Sequence, residues 1–249
     1  MDKVNQPQNS NSIDEQEYKV ELLKDDIKHY DLSFKVVIIG DSSVGKTTLL
    51  MKLKNPDYDT NELYKPTIGF EFMSFSVKVN DSILQLQVWD TCGQEIYRSL
   101  VTNFYRNSVL AVLVYAVDNE NSFESIKAWI EELKINTNDE IRTILIGNKN
   151  DLEERKISVM DGQCLANDYG FEHFFETSAK TGQNTKNMIE EIGKILYKDY
   201  CNYKKELNEM TISNYEKNEE IRTFTSGASM SLKSSYKKLG KNKNQNKCC

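Results

Sequence analysis

The chain has 249 residues and a formal net charge of −6, with 39% hydrophobic and 28% charged residues. An acidic chain of this kind is not a uniformly basic nucleic-acid binder, so we expect no nucleic-acid partner. Its longest apolar run, residues 109–117, is too short to span a bilayer. Residues 1–33 contain no apolar signal segment, and the five cysteines match no zinc or disulfide spacing, so we expect a reducing cytosolic compartment.

The two ends of the chain differ in composition from its centre. Residues 1–33 are rich in acidic and amide side chains, and we expect a mostly disordered extension there. The apolar residues that could form one short amphipathic helix in it are Val20, Leu22, Leu23 and Ile27. Residues 223–249 contain six lysines and no acid, which indicates contact with an anionic surface, although a solvated tail has the same composition. We therefore expect one folded domain over residues 34–197 and a flexible tail over 198–249.

A glycine-rich loop follows the first strong strand pattern. Residues 34–39 are apolar on both faces, as in a central parallel strand. Residues 40–47 fit G-x-x-x-x-G-K-[ST] and precede a helix that is predicted to reach about Lys54, a context that an accidental match in a turn would lack. Such a loop directs successive backbone N–H groups at phosphate oxygens. Lys46 would then reach the β- and γ-phosphates, and the Thr47 hydroxyl would bind Mg²⁺.

Strand and helix patterns alternate along the rest of the domain. The predicted strands lie at 70–79, 83–89, 109–117, 141–146 and 172–176, with helices around 123–133, 158–169 and 188–196. This alternation predicts the α/β class, with a doubly wound, mostly parallel six-stranded sheet and helices on both faces. Polar motifs follow three of these strands, at residues 90–95, 148–151 and 177–180. We expect them to share one crevice, because ligands of such folds bind beyond the carboxyl ends of the strands.

The order of these motifs resembles that of the small Ras-like GTPases. The matching segments are residues 40–47, Thr67, residues 90–95, residues 148–151 and residues 177–180. Finer features resemble the Rab branch, namely residues 68–72, 89–91 and 104–106 and the terminal Cys248 and Cys249. The resemblance covers about residues 34–197 and implies a slow GTP hydrolase that acts as a membrane-attached switch in vesicle traffic.

The resemblance also implies how guanine nucleotide would be bound. Asp151 would accept hydrogen bonds from guanine N1–H and N2–H₂, a donor pair that adenine lacks, while Lys149 would pack over the base. The Ala179 N–H would contact guanine O6, and Asn148 would tie neighbouring loops together. The full set of nucleotide contacts implied is Ser43, Val44, Gly45, Lys46, Thr47, Thr48, Tyr58, Thr67, Gly93, Asn148, Lys149, Asp151, Ser178, Ala179 and Lys180.

For the metal and the reaction, the resemblance implies a small set of residues. Thr47, Thr67 and Asp90 would hold Mg²⁺, Thr67 only when the γ-phosphate is present and Asp90 through a water. Gly93 would contact the γ-phosphate, and Gln94 would be the catalytic residue that orients the attacking water. Hydrolysis would release the loops at Thr67 and Gly93. No cis arginine finger is evident, so an activating protein would supply most of the rate.

The end of the chain bears on membrane attachment. Cys248 and Cys249 form no C-a-a-X box and resemble the doubly geranylgeranylated Rab terminus. Two lipids and nearby lysines would attach the protein stably to the cytoplasmic face of an intracellular membrane, with a cytosolic pool; two free thiols are the alternative. The partners implied by the resemblance are an exchange factor, a GTPase-activating protein, effectors, a prenylation escort and a GDP-dissociation inhibitor.

Two functions of other classes remain open from the sequence. One is an interaction scaffold that binds GTP constitutively, against which the presence of Gln94 argues. The other is an ATP-using phosphotransferase with the same phosphate loop. Asp151 favours guanine over adenine, and no lid for an acceptor substrate is evident, so this second alternative has less support.

Overall fold

The computed structural model describes residues 17–23, 27, 29–60, 70–91, 105–137 and 141–216. The strands in these ranges are β1 (Val20–Leu23), β2 (Leu32–Ile39), β3 (Phe70–Val79), β4 (Ser82–Thr91), β5 (Leu110–Ala116), β6 (Arg142–Asn148) and β7 (His173–Glu176). The helices are α1 (Lys46–Lys54), α2 (Glu120–Asn136), α3 (Val159–Tyr169) and α4 (Thr185–Glu216). The elements alternate along the chain as the sequence patterns predict.

The strands form one sheet in the order β1-β3-β4-β2-β5-β6-β7. Strand β2 is parallel to both β4 and β5, and β6 and β7 continue the parallel arrangement. The β3–β4 hairpin is antiparallel, and β1 is antiparallel to β3. The predicted doubly wound, mostly parallel sheet is thus confirmed, although it has seven strands where six were expected.

Helices cover both faces of the sheet, because side chains of the central strands β2, β5 and β6 alternate between two apolar clusters. Along β2, Val36 and Ile38 pack with α1 and α4, whereas Val37 and Ile39 pack with α2 and α3. Burial of each such side chain contributes about 1.5–3 kcal/mol to folding. Within the described residues, no helix is long and apolar enough to cross a membrane.

The seventh strand comes from the N-terminal extension, where we expected a mostly disordered segment that could at most form one short helix. Strand β1 instead pairs with the otherwise open edge of β3. Val20 and Leu22 pack against the core, and the Leu22 N–H donates to Glu190 Oε1 at 3.0 Å. The Tyr18 ring meets the Tyr197 ring of α4 edge-on at 5.7 Å. The spacing of the apolar residues suits either structure, and the available sheet edge decides between them. Residues 1–16 lie outside the described residues.

The C-terminal helix is longer than the sequence patterns indicate. A flexible tail was expected from residue 198, but α4 continues to Glu216. Arg142 holds this part of the helix through two hydrogen bonds of 2.9 Å to the Asp199 carboxylate. Tyr200 and Tyr203 pack partly against the core. No glycine or proline interrupts residues 198–216, so the sequence allows the helix to continue beyond the part that packs against the core.

Candidate nucleotide-binding site

The loop between β2 and α1 contains two glycines that lie too close to the neighbouring strands to carry a side chain. Gly40 has φ 142°, and a Cβ there would lie 2.2 Å from the Val114 carbonyl oxygen of β5. Gly45 has φ 98°, and its Cβ would lie 2.4 Å from Asn148 Nδ2. Both positions therefore exclude any larger residue, because neither the backbone angle nor the space permits a side chain.

Positive charge and the amides of a helix N-terminus converge on this loop. Lys46 is only 5% exposed, and its ammonium donates to the carbonyl oxygens of Gly40 and Asp41 at 2.8 Å each. Helix α1 begins at Lys46, and its N-cap residue, Gly45, has no side chain that could cap the helix. The first N–H groups of a helix have no intrahelical acceptor and carry the positive end of its dipole. The arrangement is suited to bind an anion such as phosphate.

Beside the loop, the Thr47 hydroxyl and the Asp90 carboxylate are in direct contact. The Thr47 hydroxyl donates to Asp90 Oδ2 at 2.5 Å, and Asp90 is fully buried. Asp90 Oδ1 is buried and has no hydrogen-bond partner within the described part of the chain. Burial raises the pKa of the Asp90 carboxyl to about 6, although the Thr47 hydrogen bond and the Lys46 charge act in the opposite direction. An unpartnered carboxylate oxygen next to a hydroxyl fits the hard-oxygen preference of Mg²⁺.

No group of three or more His, Cys, Asp or Glu side chains in the described ranges could hold a metal by itself. Mg²⁺ usually takes one or two protein oxygens and completes its shell with waters and phosphate. Thr47 and Asp90 therefore suit an ion that arrives with a phosphate ligand. Thr67, the third expected ligand, lies outside the described residues.

Asn148, at the end of β6, connects three segments. Its Nδ2 donates to the Val44 carbonyl oxygen at 2.8 Å, and its Oδ1 accepts from Thr177 Oγ1 and the Ala179 N–H at 3.1 Å each. The side chain is only 1% exposed, and each of its two terminal atoms has a partner. Asn148 thus joins the phosphate loop to the loop after β7. The Ala179 N–H, expected to contact guanine O6, would have to share or exchange this hydrogen bond.

The Asp151 carboxylate is held at the other end of the site. Ser178 Oγ donates to Asp151 Oδ1 at 2.6 Å, and the ammonium of Lys180 lies 4.0 Å from Oδ2. Lys149 has φ 67° and pairs with Asp118 Oδ1 at 3.4 Å. These contacts orient two side chains that the resemblance predicts to contact guanine. Nothing in the motif spacing points to Asp118.

A cleft of about 290 Å³ joins the phosphate loop to these side chains. It is lined by Ser43, Gly45, Thr48, Thr60, Asn148, Lys149, Asp151, Leu152, Ala179 and Lys180. Eight of these ten are predicted contacts; Leu152 adjoins Asp151 in sequence, but no local signal points to Thr60. Tyr58, expected against the base, is half-buried and is not among the lining residues. Gly93 and Gln94 lie outside the described residues.

Comparisons with known proteins agree with this geometry. The sequence model of the Ras family matches residues 35–198 of this chain. This range spans the sheet from β2 onward and most of the site. The Ras-related protein RABE1d of Arabidopsis thaliana is 40% identical over 167 residues, or 66% of this chain and 76% of its own length. The GTP-binding protein Rab-3D of Rattus norvegicus is 40% identical over 170 residues, covering 68% and 76%.

A third relative, the Ras-related protein RAB1BV of Beta vulgaris, is 40% identical over 162 residues, or 64% of this chain and 74% of its own length. Identity at this level, over about three quarters of each relative, accompanies a shared fold, and the family match over residues 35–198 includes the residues that line the cleft. The chain therefore belongs to the Ras family of small GTPases and, within that family, to the Rab proteins.

Proposed function

We propose that the cleft binds GTP and GDP with Mg²⁺ and that the protein hydrolyses GTP slowly. The observation that carries the proposal is the oriented Asp151 carboxylate, which Ser178 holds at 2.6 Å in the cleft that also reaches the phosphate loop. A carboxylate in this place accepts two hydrogen bonds from guanine and none from the corresponding edge of adenine. One of the relatives is named a GTP-binding protein, which supports the same ligand.

Mg²⁺ would be held by Thr47 directly and by Asp90 through a water in this proposal, with Thr67 as a further ligand in the GTP state. The bound ion would neutralise negative charge on the phosphates. Lys46 and the α1 amides act on the same charge from the loop side. Gly93 would contact the γ-phosphate. Hydrolysis would remove the contacts of Thr67 and Gly93 that depend on this phosphate, and the loops that contain these two residues would relax.

Hydrolysis tests this proposal through Gln94. In the Gln94→Leu variant the attacking water loses its orienting amide, so single-turnover GTP hydrolysis should slow at least about tenfold. GTP affinity should stay within about twofold of wild type. The assay is phosphate release from the preformed GTP complex after addition of Mg²⁺.

Gln85→Leu provides a matched control for that assay. Gln85 lies in β4 and pairs with Ser76 of β3, so the same substitution is made away from the phosphate loop. An unchanged hydrolysis rate in Gln94→Leu would refute the catalytic role. Hydrolysis absent from the wild-type protein, even with an activating protein, would favour a scaffold that never cycles.

We further propose that the protein is a membrane-attached switch in vesicle traffic, with a nucleotide-binding domain over about residues 34–197. Geranylgeranyl groups on Cys248 and Cys249, helped by the six lysines of residues 223–249, would hold it on an intracellular membrane, with a cytosolic pool. An exchange factor, an activating protein, effectors, a prenylation escort and a GDP-dissociation inhibitor would be its partners. Rab relatives support this role.

Replacement of both terminal cysteines tests the membrane anchor. The Cys248→Ser, Cys249→Ser double variant should move from the membrane pellet to the supernatant in eukaryotic cells, because the lysines alone give weak binding. Cys164→Ser is the control, since Cys164 is exposed on α3 and should leave fractionation unchanged. Persistent pelleting of the double variant would disprove the anchor.

A further inference from the structure

A buried tryptophan on α2 contacts the first half of the phosphate loop. The Trp129 Nε1–H donates to Asp41 Oδ1 at 2.8 Å, across 88 positions of sequence. Trp129 is only 1% exposed and packs with Ile126, Ile130 and Leu133 of the same helix. A buried indole N–H needs an acceptor, and Asp41 Oδ1 supplies one.

The phosphate loop is therefore fastened at two separate points. Asn148 holds its second half through the Val44 carbonyl at 2.8 Å. Trp129 holds its first half through the Asp41 side chain, while the Asp41 carbonyl accepts from Lys46. Ser43, between the two points, has φ 65°, a backbone angle that non-glycine residues rarely adopt. Fixed neighbours on both sides help to maintain this conformation.

Asp41 also places a negative charge beside a loop suited to bind anions. A free carboxylate there could turn toward bound phosphate and repel it, or compete for the loop's N–H groups. The indole N–H gives that carboxylate a partner away from the loop backbone. The hydrogen bond thus fixes both the position of residue 41 and the direction of its side chain.

We propose that Trp129 is a positioning residue of the phosphate loop, which holds Asp41 and thereby slows the release of bound guanine nucleotide. This inference rests on the proposed binding of GDP and GTP at the loop. It assigns to α2 an influence on nucleotide retention that acts through Asp41 and is separate from the contacts of Asp151 and Asn148.

The test compares two variants of Asp41, only one of which keeps an acceptor for the indole N–H. Asp41→Asn and Asp41→Ala both remove the charge, but only asparagine keeps an oxygen that can accept from the indole. Release of a fluorescent GDP analogue, chased with excess GDP in Mg²⁺, should be about two- to tenfold faster in Asp41→Ala than in Asp41→Asn. Asp41→Ala leaves the buried Trp129 N–H without this acceptor and should unfold at a lower temperature than Asp41→Asn, so release is measured at a temperature at which both variants are folded.

The same pair is then measured with Trp129→Phe, which keeps an aromatic ring and removes the N–H. If the hydrogen bond acts as proposed, the difference between the Asp41 variants disappears in this background. A difference that persists there, or equal release rates of the two variants with Trp129 intact, would overturn the inference. The comparison of Asp41→Asn with Asp41→Ala in the presence of Trp129 tests the inference even if Trp129→Phe does not fold.

Failure of the proposed function gives a different result. Wild-type protein that does not retain the GDP analogue would overturn both the proposed function and the role of Trp129. Wild-type protein that retains it, with equal release from Asp41→Asn and Asp41→Ala, overturns the role of Trp129 alone.

Discussion

The Asp151→Asn variant should lose about 10⁴-fold in affinity for GTP and gain affinity for xanthosine triphosphate. The Asp151 carboxylate only accepts hydrogen bonds, whereas an asparagine amide would direct N–H groups at the guanine donors. A site built to hydrogen-bond a ligand discriminates strongly because a mismatch leaves buried polar groups unpaired. Xanthine carries a carbonyl oxygen where guanine has its amino group, so the new amide has an acceptor.

Equilibrium competition against a fluorescent GDP analogue measures the affinities of the Asp151→Asn variant for GTP and for xanthosine triphosphate. Ser178 can still donate to the amide oxygen of the substituted side chain, so the loop after β7 should keep its position. Asp168→Asn is the matched control, because Asp168 is exposed on α3. Wild-type affinity for GTP in the Asp151→Asn protein would contradict the assignment of Asp151 to the base.

The Thr47→Asn variant should bind GTP about 100-fold more weakly in Mg²⁺ than the wild-type protein. The substitution removes a metal ligand and also the donor to Asp90 Oδ2, so a buried carboxylate loses the hydroxyl that hydrogen-bonds to it. Hydrogen bonds to charged groups contribute about 1.5–3 kcal/mol. GDP binding should weaken less, because GDP lacks the γ-phosphate whose charge Mg²⁺ offsets.

Thr47→Ser separates the hydroxyl from the rest of the side chain. Serine keeps the donor to Asp90 and the metal ligand, so this variant should bind Mg²⁺ and GTP like wild type. Isothermal titration calorimetry with GTP and with GDP, each in the presence and absence of Mg²⁺, measures the four affinities that this comparison needs. Undiminished GTP affinity in Thr47→Asn would count against a role for Thr47 in metal binding.

The parts of the site that the sequence predicts are those set by local chain geometry. The phosphate loop needs Gly40 and Gly45 at fixed spacing, next to a strand and a helix, and all of these are readable from adjacent residues. The motif at Asn148 and Asp151 follows a buried strand, and the parallel sheet brings it to the same edge. Topology then assembles the cleft from segments that are distant in sequence.

The parts that the sequence does not predict depend on contacts between distant segments. Strand β1 forms because the edge of β3 is open and α4 offers Glu190 and Tyr197 as neighbours, whereas its four residues suit strand or helix equally. The Trp129–Asp41 hydrogen bond joins residues with no shared motif. Thr60 reaches the cleft from a polar connector without any pattern of its own. Thr67, Gly93 and Gln94 stay predictions.

The most direct test is competition among nucleotides for the purified wild-type protein. With a fluorescent GDP analogue bound in Mg²⁺, GTP and GDP should each displace it at comparable concentrations, because both present guanine to Asp151. ATP should fail to displace it even at about 10³-fold excess, since adenine leaves the Asp151 carboxylate without donors. Displacement by ATP at the same concentration as GTP would contradict a guanine-specific site.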